Sequence, residues 1–217
     1  MTSGPAAAAL PPEVRVVVFD VVGTLVAPRP TVAVAYQRAA ARHGVERGVV
    51  DIEARFRDAW CRQEAVDAAS RPSYATSPQR ERERWRAIVA DVFEGAPATE
   101  QIFADLWAHF ASPAAWRQTE RGPALVRWAL DAGRGVALAS NFDDRLLEIA
   151  RHVEPLPHAG RVFTSAAIGW RKPAPEFFRH VEERLGCAPS EIMLVGDDPL
   201  LDLAAGRRAG WHVLGVA

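Results

Sequence analysis

Lysine is almost missing from this chain. Lys172 is the single one, against twenty-five arginines, in a sequence rich in alanine, glycine and proline. Cysteine is nearly as rare: Cys61 and Cys187 stand far apart, without the spacing of a metal or redox pair. That fits a reduced, intracellular chain, and a cytoplasmic location is expected. Acidic and basic residues almost cancel to a formal charge of −1, so nothing draws the protein toward nucleic acid or an anionic membrane. No run approaches the roughly 18 apolar residues of a membrane span. The opening, residues 1–13, lacks the basic and apolar regions of a secretory signal and reads as a loose tail. The six histidines show no ligand spacing, and no internal repeat is visible.

What is present is a core. About half of the 217 residues are hydrophobic (49%), an ample core for a soluble globular chain, and the length suits one large domain or a core plus an insert. Val14 to Phe19 is a short valine-rich run, suited to a parallel strand buried on both faces. A long stretch without strand candidates follows. It predicts helices over 31–43, closed by Gly44, over 51–69 with Ile52, Phe56 and Trp60 on one stripe, and over 79–93. Thr99 is expected to cap a fourth helix. After Pro113 the pattern alternates. Helices are expected over 123–132, 143–152, 174–185 and 199–209, and strands over 135–139, 161–164, 192–195 and 211–216. Such alternation implies a Rossmann-like parallel sheet with crossover helices. The expected organisation is a core of residues 14–29 and 113–217, interrupted by an all-helical cap of residues 30–112.

Ligands of such sheets bind beyond the carboxyl ends of the strands. Asp20, Ser140 and Asp197 all fall at such ends, and Lys172 lies on a loop that reaches the same crevice. Asp20 is placed to attack a phosphoryl group. A hard cation such as Mg²⁺, held by Asp20 and Asp197, would reduce the repulsion between carboxylate and phosphate. Thr24 and Ser140 can donate hydroxyl hydrogen bonds to phosphate oxygens, and Gly23 lets the backbone approach closely. Lys172 supplies a compact point charge where the wide guanidinium fork of arginine would not fit. Each element alone also reads as something ordinary. Asp-x-x-Gly-Thr makes turns, and Gly-Asp-Asp-Pro makes a helix cap with Pro199 in its first position. Their order at successive strand ends is what distinguishes them.

That set resembles the haloacid dehalogenase-like hydrolase superfamily over 14–216. Asp20-Val-Val-Gly-Thr-Leu25 matches its first motif, Ser140 the second, Lys172 the third, and Gly196-Asp197-Asp198 with Asp202 the fourth. The helical insert resembles the early cap of one subfamily. The stretch Ser140 to Leu146, in which Asn141 joins Ser140 as an expected phosphate-binding residue, looks closest to the rhythmically-expressed-gene-two-like group. The resemblance implies Asp20 as nucleophile and metal ligand, the Val22 carbonyl and Asp197 as further ligands, Asp202 orienting the metal shell or Lys172, and Asp198 as an extra ligand. It implies Mg²⁺-dependent hydrolysis of a small phosphorylated substrate, an ester or an anhydride.

One position departs from the pattern. Phosphatases of the superfamily usually carry a second aspartate two residues after the nucleophile, and here it is Val22. A positioned acid/base contributes about 10² to 10⁴ in rate, so a slow phosphatase is expected. The alternative is a catalytically weak member that binds a phosphorylated ligand or partner. Asp143, Asp144 and Asp198 are the nearest substitutes for the acid, although each also reads as an ordinary helix-start carboxylate. Metal-independent dehalogenation fits less well, since the Gly-Asp-Asp stretch reads as a metal site. Schiff-base phosphonatase chemistry needs a cap lysine, which this cap lacks. The arginines of 80–86 alternate with Glu81 and Glu83, as on a solvated helix face. Trp60 and Trp107 are candidates for the substrate entrance.

Overall fold

The computed structural model describes residues 10–216, so most of the expected N-terminal tail lies outside the described residues. Five parallel strands form the central sheet. β1 (Val16–Phe19) is followed by a short β2 (Val26–Pro28) and then by helices α1 (Val32–Arg42), α2 (Val49–Ala69), α3 (Pro78–Val92) and α4 (Thr99–Ala111). The chain returns through β3 (Trp116–Gln118). It continues as α5 (Gly122–Asp131), β4 (Gly135–Ser140), α6 (Arg145–His152), β5 (Arg161–Thr164), α7 (Ser165–Ile168) and α8 (Pro175–Leu185). β6 (Ile192–Gly196), α9 (Ala205–Arg208) and β7 (His212–Gly215) complete it.

The sheet order is β5-β4-β1-β6-β7. β1 lies at the centre, and Phe19 is in register with Leu138 on one side and Val195 on the other. The strand's two-residue period sends Val17 and Phe19 to one face, with Leu138, Val195 and Leu146. Val18 faces the opposite side, with Ala139, Leu194, Phe177 and Trp211. Covered on both faces, β1 can be almost wholly apolar until it ends at Asp20.

The four cap helices have their own core around Tyr36, Ile52, Ile88, Phe93 and Phe103. Ser77 begins α3 by accepting the Arg80 N–H at 3.1 Å, and Pro78 occupies the first helical position. The antiparallel pair β2–β3, unforeseen from the sequence, joins cap to core through Val26 opposite Gln118 and Pro28 opposite Trp116. Strands this short leave too little alternation to read.

Other expectations need correcting. Thr99 lies inside α4, and its hydroxyl donates back to the Ala96 carbonyl at 2.9 Å instead of capping a helix N–H. The expected helix over 199–209 begins as a π-type turn, Pro199–Ala204, in which the Leu203 N–H reaches the Asp198 carbonyl at 3.1 Å. The largest correction concerns 80–86. Glu81 and Arg84 are both buried, each 1% exposed. Arg84 donates to Asp67 on α2 at 2.9 Å and also contacts Glu64. Arg80 donates to Asp67 at 2.7 Å. Glu81 receives Arg171 from the core at 2.7 and 2.8 Å. Buried charges survive only when paired. This part of α3 is thus an ionic seam between cap and core.

Candidate active site

Parallel register brings the ends of β1, β4 and β6 side by side. Asp20 follows β1, its N–H donating to the Val195 carbonyl at 2.9 Å. Ser140 ends β4, and Asp197 follows β6. Lys172 enters from the loop after β5 and is buried, 2% exposed. Its ammonium donates to Asp20 Oδ1 at 2.8 Å, to Asp202 Oδ1 at 2.5 Å and to the Ala139 carbonyl at 3.1 Å. Those three acceptors match the three protons of an ammonium group.

Asn141 holds the lysine in place. Its Nδ2 donates to the Lys172 carbonyl at 2.9 Å, and its Oδ1 accepts the Lys172 N–H at 2.7 Å. Its carboxamide, expected at a phosphate, is thus engaged by the Lys172 backbone. Ser140 lines the cavity above Asp20. Thr24 differs from expectation, because its hydroxyl donates to Asp197 Oδ1 at 2.9 Å. Gly23 also serves Asp197. Its φ is +92°, and a Cβ there would overlap the Asp197 carboxylate. The loop is therefore shaped around that carboxylate. Asp202 accepts Lys172 and, at 3.2 Å, the Asp198 N–H. Asp198 caps the following turn by accepting the Leu200 and Leu201 N–H groups at 2.7 and 2.8 Å. Among the acid candidates, Asp143 is clamped by Arg145 at 2.7 and 2.8 Å. Asp144 occupies the N-cap position of α6 without a side-chain cap bond.

Negative charge is in surplus here. Carboxylate oxygens of Asp20, Asp197 and Asp202 lie within 4.8 Å of one another, with one ammonium among them. Burial pushes the Asp20 carboxyl up to about 7, opposed by Lys172 and reinforced by Asp202 and Asp197. Burial likewise raises Asp197, against the Thr24 hydroxyl. Burial alone would lower Lys172, but Asp20 and Asp202 more than reverse this and keep it charged. Hard, clustered oxygen donors with uncompensated charge fit a divalent cation such as magnesium.

Above the carboxylates is a cavity of about 480 Å³. Trp60 and Trp107, proposed from the sequence for the entrance, line it, as do Tyr36, Phe56, Trp85 and Trp116. Val22 completes the apolar wall near Asp20. Two arginines also reach it. Arg57 extends from α2, and Arg145 lies over the Trp107 ring at 3.5 Å while donating to the Trp107 carbonyl at 3.3 Å. Phe56 and Trp60 sit on the apolar stripe that the sequence marks along α2. Helical spacing alone does not separate a core stripe from a cavity wall.

A parallel sheet with a carboxylate-lysine cluster at its carboxyl edge and an early helical cap defines a capped α/β hydrolase. The family description "haloacid dehalogenase-like hydrolase" matches residues 14–210, and the chain belongs to that family. It is 30% identical over 215 residues to haloacid dehalogenase-like hydrolase domain-containing protein 3 of Bos taurus, covering 94% of this chain and 82% of the relative. It is 23% identical over 214 residues to the rhythmically expressed gene 2 protein of Drosophila melanogaster, covering 91% and 81%. A crystal structure of a dehalogenase shares the fold with a TM-score of 0.72 at 19% identity, over 95% of this chain and 86% of that one. Structures described as phosphatases share it as well.

Proposed function

We propose that this hydrolase is a magnesium-dependent phosphohydrolase acting on small phosphate esters or anhydrides, with Asp20 as the nucleophile. The carrying observation is the cluster of Asp20, Asp197 and Asp202 around a single ammonium. Asp20, Asp197 and the Val22 carbonyl would hold magnesium, which supplies positive charge against the repulsion between carboxylate and phosphate. Lys172 orients Asp20 and offers its charge to the transferring phosphoryl group. Ser140 supplies a hydroxyl at the same end of the cavity. Asp202 keeps Lys172 extended toward Asp20. The aspartyl-phosphate formed on Asp20 is then hydrolysed by water. A metal-independent dehalogenase would leave the clustered charge of Asp20, Asp197 and Asp202 with the Lys172 ammonium as its one nearby cation among the described residues, which disfavours that reading.

Val22 favours a second reading, a member that binds a phosphorylated ligand and hardly turns it over. We take the partner to be a small phosphorylated molecule, not nucleic acid or membrane, in keeping with the balanced charge. No helix among the described residues is long and apolar enough to cross a membrane, and the free thiols of Cys61 and Cys187 suit the cytoplasm.

The test is a time course of p-nitrophenol release from p-nitrophenyl phosphate with excess magnesium, beside Asp20→Asn. Release well beyond one equivalent, lost in the variant and in chelator, is expected. Release that stops at or below one equivalent would move the assignment to ligand binding.

A further inference from the structure

Resting on the phosphohydrolase reading, we propose that the natural substrate is an aryl phosphomonoester, its aromatic leaving group seated among the cap's aromatic rings. Two independent features lead there: the composition of the cavity and the absence of a proton donor for the leaving oxygen.

The cavity is divided chemically. Its carboxylates and Lys172 gather at the sheet edge, and its other wall is mainly aromatic, with Arg57 and Arg145 also reaching it. The rings there already touch one another. Tyr36 meets Phe56 edge-on at 5.5 Å, Phe56 stacks on Trp60 at 6.2 Å, and Trp60 tilts on Trp85 at 5.7 Å. Such ring spacings are those of attractive aromatic pairs, and a planar guest would extend the series. The volume, about 480 Å³, falls within the roughly 300 to 1,000 Å³ of small-molecule sites. A sugar or polyol would be penalised, because each hydroxyl taken into this wall loses water without gaining a partner. Tyr36, Arg57 and Arg145 are the exceptions, and Arg145 is already held by Asp143. Tyr36 is 1% exposed and lines the cavity.

The second feature is at Val22. Its side chain lies on the cavity wall beside Asp20, 36% exposed, and can protonate nothing. Asp198 is engaged in capping, Asp143 in Arg145, and Asp144 is not among the residues that line the cavity. A leaving oxygen must therefore depart as an anion. A phenol ionises near about 10, against about 16 for water, so an aryl oxide departs where an alkoxide would not. The steps balance. Asp20 attacks phosphorus, and the aryl oxide leaves with the bonding pair. Water then attacks phosphorus and the bond to Asp20 breaks, returning its pair to the carboxylate. One water proton stays on the phosphate and the other ends on the aryl oxide in solution.

The experiment compares kcat/KM for 1-naphthyl phosphate, phenyl phosphate and glycerol 3-phosphate with magnesium, taking Asp20→Asn as the blank. Expected is a preference of at least about 100-fold for 1-naphthyl over glycerol 3-phosphate. Naphthyl should also exceed phenyl by about tenfold, since those two leaving groups differ little in acidity and greatly in ring area. Trp85→Ala, and the gentler Phe56→Leu, should shrink the naphthyl-to-phenyl ratio more than they lower phenyl phosphate turnover. If Asp20-dependent turnover is as fast on glycerol 3-phosphate, the aryl assignment falls and the phosphohydrolase stands. If naphthyl and phenyl phosphates are equal, the aromatic wall does not bind the leaving group and the seating falls. If no ester is turned over in an Asp20-dependent way, both readings fall together.

Discussion

Glu81 of α3 accepts two hydrogen bonds, at 2.7 and 2.8 Å, from Arg171, the residue immediately before the active-site lysine. The cap is thereby tied to the loop that positions Lys172. Tyr74 and Thr76 add backbone bonds, the Arg171 N–H reaching the Tyr74 carbonyl and the Thr76 N–H the Gly169 carbonyl, each at 2.9 Å. Arg80, Arg84 and Arg171 face Glu64, Asp67 and Glu81, so formal charges balance within the seam.

Breaking that seam from one side should be costly. Glu81→Ala takes from Arg171 its two shortest bonds and leaves it Glu64 at 3.3 Å, and removing one partner of a buried pair costs up to about 3 to 5 kcal/mol. A urea titration should show a clearly lower midpoint, whereas Glu83→Ala on the exposed face should hardly move it. Equal midpoints for the two variants would show that the seam contributes nothing to stability.

Lys172→Arg should preserve charge and lose function. The ammonium meets three acceptors within 3.1 Å in a buried pocket, and a planar fork cannot reproduce that arrangement. A loss of at least about 100-fold in kcat is expected, on the scale of removing one electrostatic donor from an active site. Near-normal kcat would mean that only the charge matters there.

Gly23→Ala should act on the metal site. At φ +92° its new methyl would overlap the Asp197 carboxylate, and the backbone itself costs about 1 to 2 kcal/mol. Gly95→Ala makes the comparison, with φ +79° and open space around it. Magnesium titration calorimetry should show weaker binding in the first variant alone. Equal affinities would remove Asp197 from the proposed ligand set.

Val22→Asp should restore a proton donor. Turnover of glycerol 3-phosphate should rise by about 10² or more, toward the range of a positioned acid, with a smaller gain for p-nitrophenyl phosphate, whose leaving group needs no proton. Equal gains for both esters would point to water activation as the step that Val22 limits.

The sequence alone determined the alternating α/β core, the helical insert and the strand ends that carry Asp20, Ser140 and Asp197. These are local matters, because a two-residue or 3.6-residue apolar period and a polar residue at its end are visible within a few positions. The lone lysine could also be read locally, since its flanking motifs supply carboxylates for it to meet. Tertiary structure decided the rest. Whether Arg84 faces water or Asp67 depends on what packs across α3, and its spacing from Glu81 is the same in either case. Thr24 and Gly23 fit a phosphate loop on paper, but the folded chain turns them toward Asp197. Phe56 looks like core at helical spacing, yet the way the cap meets the sheet leaves it lining a cavity. Periodicity specifies which residues share a face. What that face meets is settled only when distant segments pack against it.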